Sequence, residues 1–278
     1  MTADTRDIIL PHPGPGFEWR ETPVAPALVC LPLETIASHL FTTRGFLLGE
    51  TRTGDAPWQQ VATVLGGAPL VRLRQVHGAT VVIATTEIPD EPLEGDVVVA
   101  APGGPAIVVQ GADCVPLLVA DRRLGVVAAA HAGWRGLALD VPLLVVDALR
   151  ERFGSRPDDL VAAIGPSIGA CCYEVGPDVV DAFRSGSFGV GSSAWFHDMP
   201  QPTRTNRSMP GVGEAARAGH AYFDGWSCAT AQLEAAGLPA ESIHCARLCT
   251  ASHPTLLCSY RRDRSSAGRI AGAIVPAR

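Results

Sequence analysis

Apolar residues in this chain gather into short, unbroken runs instead of long amphipathic stretches. Seven of them, at 68–73, 80–84, 96–100, 106–110, 116–120, 125–130 and 160–164, are rich in valine and alanine and bounded by glycine, proline or aspartate. Continuous apolarity of this length predicts strands, most of them buried on both faces, since a strand with one wet face would alternate. Asp121-Arg122-Arg123 reads as a tight connection that makes two of these strands antiparallel neighbours.

Helical periodicity is rarer. Over 137–153, Leu139, Leu143, Val146 and Leu149 share a face, and Gly154 suits a C-terminal cap. Pro142 is tolerable there only near a first turn. Residues 177–183 start with a proline after Gly176, and 224–236 close at Gly237 and Pro239; both read as helices. Residues 1–27, rich in proline and polar side chains, predict a loose N-terminal extension ahead of a globular region at 28–278. The stretch 184–213, heavy in Gly, Ser and Pro, predicts a long loop or lid. No repeat or inner boundary interrupts the pattern. Strands and helices alternate only in part, which predicts an α/β fold: a single domain with mixed sheets.

Composition narrows the function. With 47% hydrophobic and 18% charged residues, the 278-residue chain can bury a substantial core. A net charge of −6 and the lack of any basic cluster argue against a nucleic-acid partner. All 22 basic residues are arginine, so Schiff-base chemistry by lysine is excluded. No apolar run approaches the roughly 20 residues of a membrane helix. The N-terminus lacks a signal peptide's basic and apolar regions, so the expectation is a cytoplasmic protein. The eight cysteines are unevenly spread, with Cys171 and Cys172 adjacent, and read as reduced thiols.

Candidate chemistry concentrates at strand ends. Gly111-Ala112-Asp113-Cys114 precedes one buried strand, and His131-Ala132-Gly133-Trp134-Arg135-Gly136 ends the next. His77, in Arg74-Gln75-Val76-His77-Gly78, closes an earlier run. Singly, such a cysteine or histidine is most often a core residue. Jointly they offer one sulfur and two imidazoles, a set that holds zinc with a fourth position open for water. The same residues fit a blue-copper centre, but Met1, Met199 and Met209, the axial candidates, fall in the extension or the 184–213 stretch. A metal-free reading makes Cys114 a thiolate nucleophile activated by His131 or His77.

Arg44 and Arg135 each stand beside glycine, where a guanidinium suits phosphate or carboxylate. The turn Gly165-Pro166-Ser167-Ile168-Gly169 could approach a ligand through its backbone, a weak signal. Cys245, Cys249, His253 and Cys258 carry zinc-ligand chemistry at a spacing that matches no usual knuckle. Arg261, Arg262, Asp263 and Arg269 read as ion pairs rather than a binding patch.

These motifs resemble the YfiH-like family, long labelled multicopper polyphenol oxidase or laccase-domain proteins. The matching pieces are Thr43-Arg44, Gln75-Val76-His77-Gly78, Asp113-Cys114-Val115-Pro116, the HAGWRG hexapeptide at 131–136, Gly165 to Gly169 with Cys171-Cys172-Tyr173-Glu174-Val175, and Ser259-Tyr260-Arg261-Arg262-Asp263 with Gly268-Arg269. The usual glycine pair after the first arginine is replaced by Gly45-Phe46-Leu47. The resemblance implies two mixed β-sheets flanked by helices in α/β/β/α layers. It implies zinc on His77, Cys114 and His131, with copper as the alternative metal. It implies phosphorolysis of adenosine, inosine, guanosine and methylthioadenosine, plus adenosine deamination, with nucleoside and phosphate as the small-molecule partners. Gln75, Arg44 and Arg135 are the expected substrate contacts, Arg44 holding phosphate. The rivals are a cysteine hydrolase or amidase acting on misincorporated peptidoglycan precursors and a copper-dependent polyphenol oxidase. Oligomeric state has no sequence signal.

Overall fold

The computed structural model describes residues 9–49, 54–87 and 91–277. All seven apolar runs are strands, and they fall into two six-stranded mixed sheets. The first orders its strands Phe17–Arg20, Ala27–Cys30, His39–Phe41, Ile270–Ile274, Ala106–Gly111 and Leu70–Arg72. Its neighbours are antiparallel except the last pair, which is parallel. The second runs Ile243–Cys245, Leu160–Ile164, Val115–Asp121, Val127–Ala132, Val97–Ala100 and Val81–Ala84, parallel at its two outer pairings and antiparallel between them. A small third sheet joins Glu174–Val175, Ala221–Phe223 and Phe196–His197.

Alternation along the inner strands of the second sheet shows why those runs are apolar throughout. In the second sheet Val98, Ala100, Leu118, Ala120, Val127 and Ala129 face the first sheet, meeting Phe41, Ile107, Val109, Ile270 and Ile274. The intervening Val97, Val99, Leu117, Val119, Ala128 and Ala130 face outward against the helices Val141–Phe153 and Gly225–Ala235. The far face of the first sheet is covered by Trp58 and Val61 of the helix Ala56–Val64. The layers are therefore helix, sheet, sheet, helix.

Differences from the sequence reading have local causes. The helix expected over 137–153 is two, Trp134–Ala138 and Val141–Phe153. Pro142 cannot continue a helix, and Asp140 turns left-handed (φ 56°) to restart it, with Gly154 (φ 71°) closing the second segment as anticipated. The supposedly loose 1–27 stretch holds an edge strand in its described part, Phe17–Arg20, because Phe17 is buried and the strand pairs along its whole length with Ala27–Cys30. Residues 184–213 are pinned rather than lid-like. Trp195 is buried against Phe183, and the Asn206 side chain bridges the Arg247 carbonyl and the Cys249 N–H.

The connection at Asp121 works as an Asx turn, its carboxylate accepting from the Arg123 and Leu124 N–H groups at 2.8 Å each. One side-chain bond ties strands of the first sheet together. The buried His39 accepts through Nε2 from the Cys30 N–H (2.9 Å) and donates through Nδ1 to the Ala37 carbonyl (3.0 Å). Only a neutral ring can do both, and burial lowers its pKa from 6.5. A depressed histidine pKa means the unfolded chain takes up the proton first, so this contribution is complete above about pH 6.5 and is lost as pH falls below it. Melting temperature measured from pH 8 to 5 should fall along that limb, and the fall should flatten in His39→Gln; an identical profile in the variant contradicts the assignment.

Candidate functional site

The chain crosses from the first sheet to the second through Gly111 and Cys114, and both sheets present their strand ends to one cleft of about 620 Å³. His131 lies on the Val127–Ala132 strand opposite Pro116, so it stands beside the strand that Cys114 enters. His77 arrives from a loop between Leu70–Arg72 and Val81–Ala84. The three donor atoms lie within 4.8 Å of one another, with Cys114 Sγ 3.8 Å from His77 Nε2 and the two rings edge-to-face at 4.8 Å.

Asp96, fully buried, holds this arrangement. Its carboxylate accepts the backbone N–H groups of Val76 (3.2 Å), His77 (3.1 Å) and Gly78 (2.7 Å), and the Nδ1–H of His131 (2.8 Å). His77 adopts φ 61°, a left-handed conformation uncommon outside glycine, and so brings three successive N–H groups onto one carboxylate. Burial would raise the Asp96 pKa, but the His131 and backbone hydrogen bonds outweigh it and hold the group below its ordinary range. With Nδ1 engaged by Asp96, Nε2 is the His131 nitrogen left to face a ligand. Burial likewise opposes charge on Cys114 and His131. Hydrogen bonding and charge from the two imidazoles nonetheless bring the Cys114 thiol down to about 7, and Asp96 with Cys114 brings His131 up to about 9.

This donor set fits a transition metal: one sulfur and two nitrogens, a carboxylate behind one imidazole, and an open cleft on the fourth side. Gly133 keeps that space clear, since a Cβ there would stand 2.9 Å from Cys114 Sγ and 3.1 Å from His77 Cδ2.

The other expected contacts are distributed differently. Gln75 lines the cleft, but its amide is paired reciprocally with the Gln110 backbone at 2.6 and 2.8 Å. Arg44 is ion-paired to Asp263 at 2.7 Å and does not line the cleft; Arg135 lies over its neighbour Trp134 instead. The glycines of 165–169 serve packing, because a Cβ at Gly165 would lie 2.3 Å from Phe41 and one at Gly169 2.6 Å from Trp226. Cys245, Cys249, His253 and Cys258 form no common cluster among the described residues.

Cationic character in the cleft comes from Arg74, which is ion-paired to Glu94, and from Arg261, Arg264 and Arg269; the sequence reading placed Arg261 and Arg269 in ion pairs and did not single out Arg264. Of that stretch, Arg262 does pair with Asp263. Asp113 brings the segment in: its carboxylate accepts the Arg261 N–H and the Thr250 hydroxyl, each at 2.6 Å. Arg261 then sits 5.0 Å over the Tyr173 ring and donates to the Glu174 carbonyl (2.7 Å). Burial pushes the Tyr173 phenol up, so it stays protonated at the cleft wall. The quoted Cys-Cys-Tyr-Glu motif was the available signal for Tyr173; Asp96 had only its place at the head of an apolar run.

Known proteins share this chain's sequence pattern and fold. The family model described as multi-copper polyphenol oxidoreductase laccase matches residues 55–277. A purine nucleoside phosphorylase of Deinococcus radiodurans is 32% identical over 263 residues, covering 88% of this chain and 92% of that one. Adenosine deaminase RL5, from an unknown prokaryotic organism, is 33% identical over 208 residues, 72% of each chain. The crystal structure of Bacillus licheniformis hypothetical protein YfiH superposes with a TM-score of 0.78 at 25% identity, covering 94% of this chain and 99% of that one.

In metal-free protein, alkylation of Cys114 followed by peptide mapping should rise with pH to a plateau with its midpoint at about 7. Asp96→Asn should move that midpoint up toward the ordinary cysteine value of 9.0, because a less basic His131 supports the thiolate less well. A midpoint left in place would contradict the Asp96–His131–Cys114 coupling.

Proposed function

The chain belongs to the multi-copper polyphenol oxidoreductase laccase family and is an enzyme, and from that premise we propose that it is a zinc-dependent purine nucleoside phosphorylase with adenosine deaminase activity. The observation that carries the reading is the open cluster of His77, Cys114 and His131 at the floor of an arginine-lined cleft. The names of the relatives point the same way for their own activities. Only two of the chain's eight histidines share a donor cluster among the described residues, a poor match to the several copper sites of a laccase.

His77, Cys114 and His131 would hold the zinc, which would supply Lewis acidity for activating a water toward the amino-bearing purine carbon. The protein's own groups do the rest. Asp96 fixes His131 with Nε2 toward the ligand position. Tyr173, held as a neutral phenol, donates a hydrogen bond into the cleft. Arg261 and Arg264 bind phosphate and hold one of its oxygens against the ribose carbon. As that bond forms, the glycosidic bond breaks and the departing purine takes its electrons together with the proton that hydrogen phosphate gives up. Arg264 makes no side-chain hydrogen bond among the described residues and is free to follow the anion.

One feature supports a second reading. Cys114, His131 and Asp96 stand in the nucleophile, base and orienting-acid order of a cysteine hydrolase, which would act on an amide or peptide. Chelators would leave that activity intact, whereas alkylation of Cys114 would abolish it.

Zinc-loaded protein given adenosine should form adenine and ribose 1-phosphate only when phosphate is present, and inosine without it. Neither product at full zinc loading overturns the proposal. Arg264→Gln should raise the KM for phosphate about 10–100-fold and spare deamination, the loss expected for one charged hydrogen bond to an anion. An equal fall in both activities would place Arg264 outside the phosphate site.

A further inference from the structure

Apart from the cleft, one other group of ligand atoms comes together among the described residues. The sulfurs of Cys171, Cys172 and Cys249 lie within 4.8 Å of one another, and all three residues are buried, at 2%, 1% and 0% exposure. They come from separate segments clamped together by backbone bonds. Ser167 pairs with the segment carrying Cys249, and the Cys249 N–H donates to Asn206 Oδ1 at 2.8 Å.

The three residues belong to the apolar core, yet their sulfurs also meet polar hydrogen-bonding groups. The Gly169 N–H donates to Cys249 Sγ (3.3 Å), and the Met209 N–H donates to Cys172 Sγ (3.2 Å). Such donors to sulfur favour thiolates and tune them as metal ligands. Ser252 Oγ lies 3.5 Å from Cys171 Sγ and 3.7 Å from Cys172 Sγ. Its own proton is directed to the Arg207 carbonyl at 2.6 Å, so its lone pairs are left for the sulfur cluster.

We propose that Cys171, Cys172 and Cys249, with Ser252 Oγ as a fourth donor, form a second metal site, selective for a soft closed-shell cation, Zn²⁺ or Cu⁺. Thiolates select such ions over hard ones. Zinc–sulfur bonds of about 2.3 Å place tetrahedral sulfurs about 3.8 Å apart. The observed cluster reaches that spacing with side-chain adjustments of about 1 Å or less. Each thiol that ligates releases its proton, and no electron changes hands. The ion has a route in: Cys172 and Met209 wall a cavity of about 320 Å³ that shares Arg261 and Arg264 with the main cleft. Occupancy would lock the turn that leads into Tyr173, giving the cleft wall a structural clamp. The proposal stands whether or not the cleft acts on nucleosides.

The test uses the full chain, reduced and anaerobic, with Cys114→Ser to remove the one sulfur that lines the cleft among the described residues. Metal-free protein is titrated with Zn²⁺ alone and with Cu⁺ alone, each against a competing chromophoric chelator, and the loaded samples are examined by X-ray absorption. Tight binding of one equivalent with a shell of three sulfurs is expected in at least one arm, and the arm identifies the ion. An excess of about 100 times Kd should also raise the melting temperature by about 5 °C. Cys249→Ser added to this background should abolish the sulfur shell. Should that variant fold poorly, Cys171→Ala provides the same check. Two arms with only nitrogen and oxygen neighbours around the metal, or with no tight equivalent, overturn the site.

Discussion

The carboxylate of Asp96 is the constraint on which the site depends. It lies at the start of a strand inside the second sheet, where an unpaired charge would be strongly unfavourable. Four hydrogen bonds satisfy it there, three from the loop that carries His77 and one from the ring of His131. A left-handed residue outside glycine is unfavourable by roughly 1 kcal/mol, and three N–H donors converging on one anion outweigh that at His77. One group therefore sets a loop conformation, a histidine tautomer and, through His131, the charge on Cys114. Two donors from different parts of the fold are held in register because they share an anchor.

The second determinant is the stacked pair of sheets. Their strand ends open onto a common edge, so a chain crossing between them delivers a thiol beside an imidazole without any element devoted to the purpose. The remaining wall is supplied by a later segment, which Asp113 captures through the Arg261 N–H and the Thr250 hydroxyl. Two of the candidate metal donors, Cys114 and His131, thus sit at strand ends and the third, His77, on a loop that Asp96 holds, while the arginines sit on a short segment tied down by side-chain bonds. Tyr173 joins the two, since it packs beside Arg261 and follows directly on the thiol cluster.

Much of this was readable in the residues. The apolar runs declared themselves because both faces of the inner strands are buried, while the edge strands Leu70–Arg72 and Val81–Ala84 are only partly covered. His77, Cys114 and His131 stood out because polar, reactive side chains ended those runs. Other parts were hidden for physical reasons. Ile270–Ile274 is small and glycine-containing because Phe41 lies 3.1 Å from where a Cβ of Gly272 would be, so it lacks the valine-rich signature of a strand. Asp96 looked like a strand boundary, and only the three-dimensional fold shows what its carboxylate accepts. Arg44 was nominated from its glycine neighbour, yet Asp263, distant in sequence, claims its charge. Arg261 was read as part of an ion-pair group, because a surface ion pair and a cleft wall look identical along a chain.

The central claim is that Asp96 organises His77, Cys114 and His131 into one metal-holding centre. The most direct measurement is a crystal structure of the zinc-loaded protein with anomalous data on both sides of the zinc edge. The account predicts a peak within bonding distance of the imidazole nitrogens of His77 and His131 and of Cys114 Sγ, with the Asp96 hydrogen bonds retained. No peak there at full loading, or one that leaves any of the three side chains unligated, would contradict it.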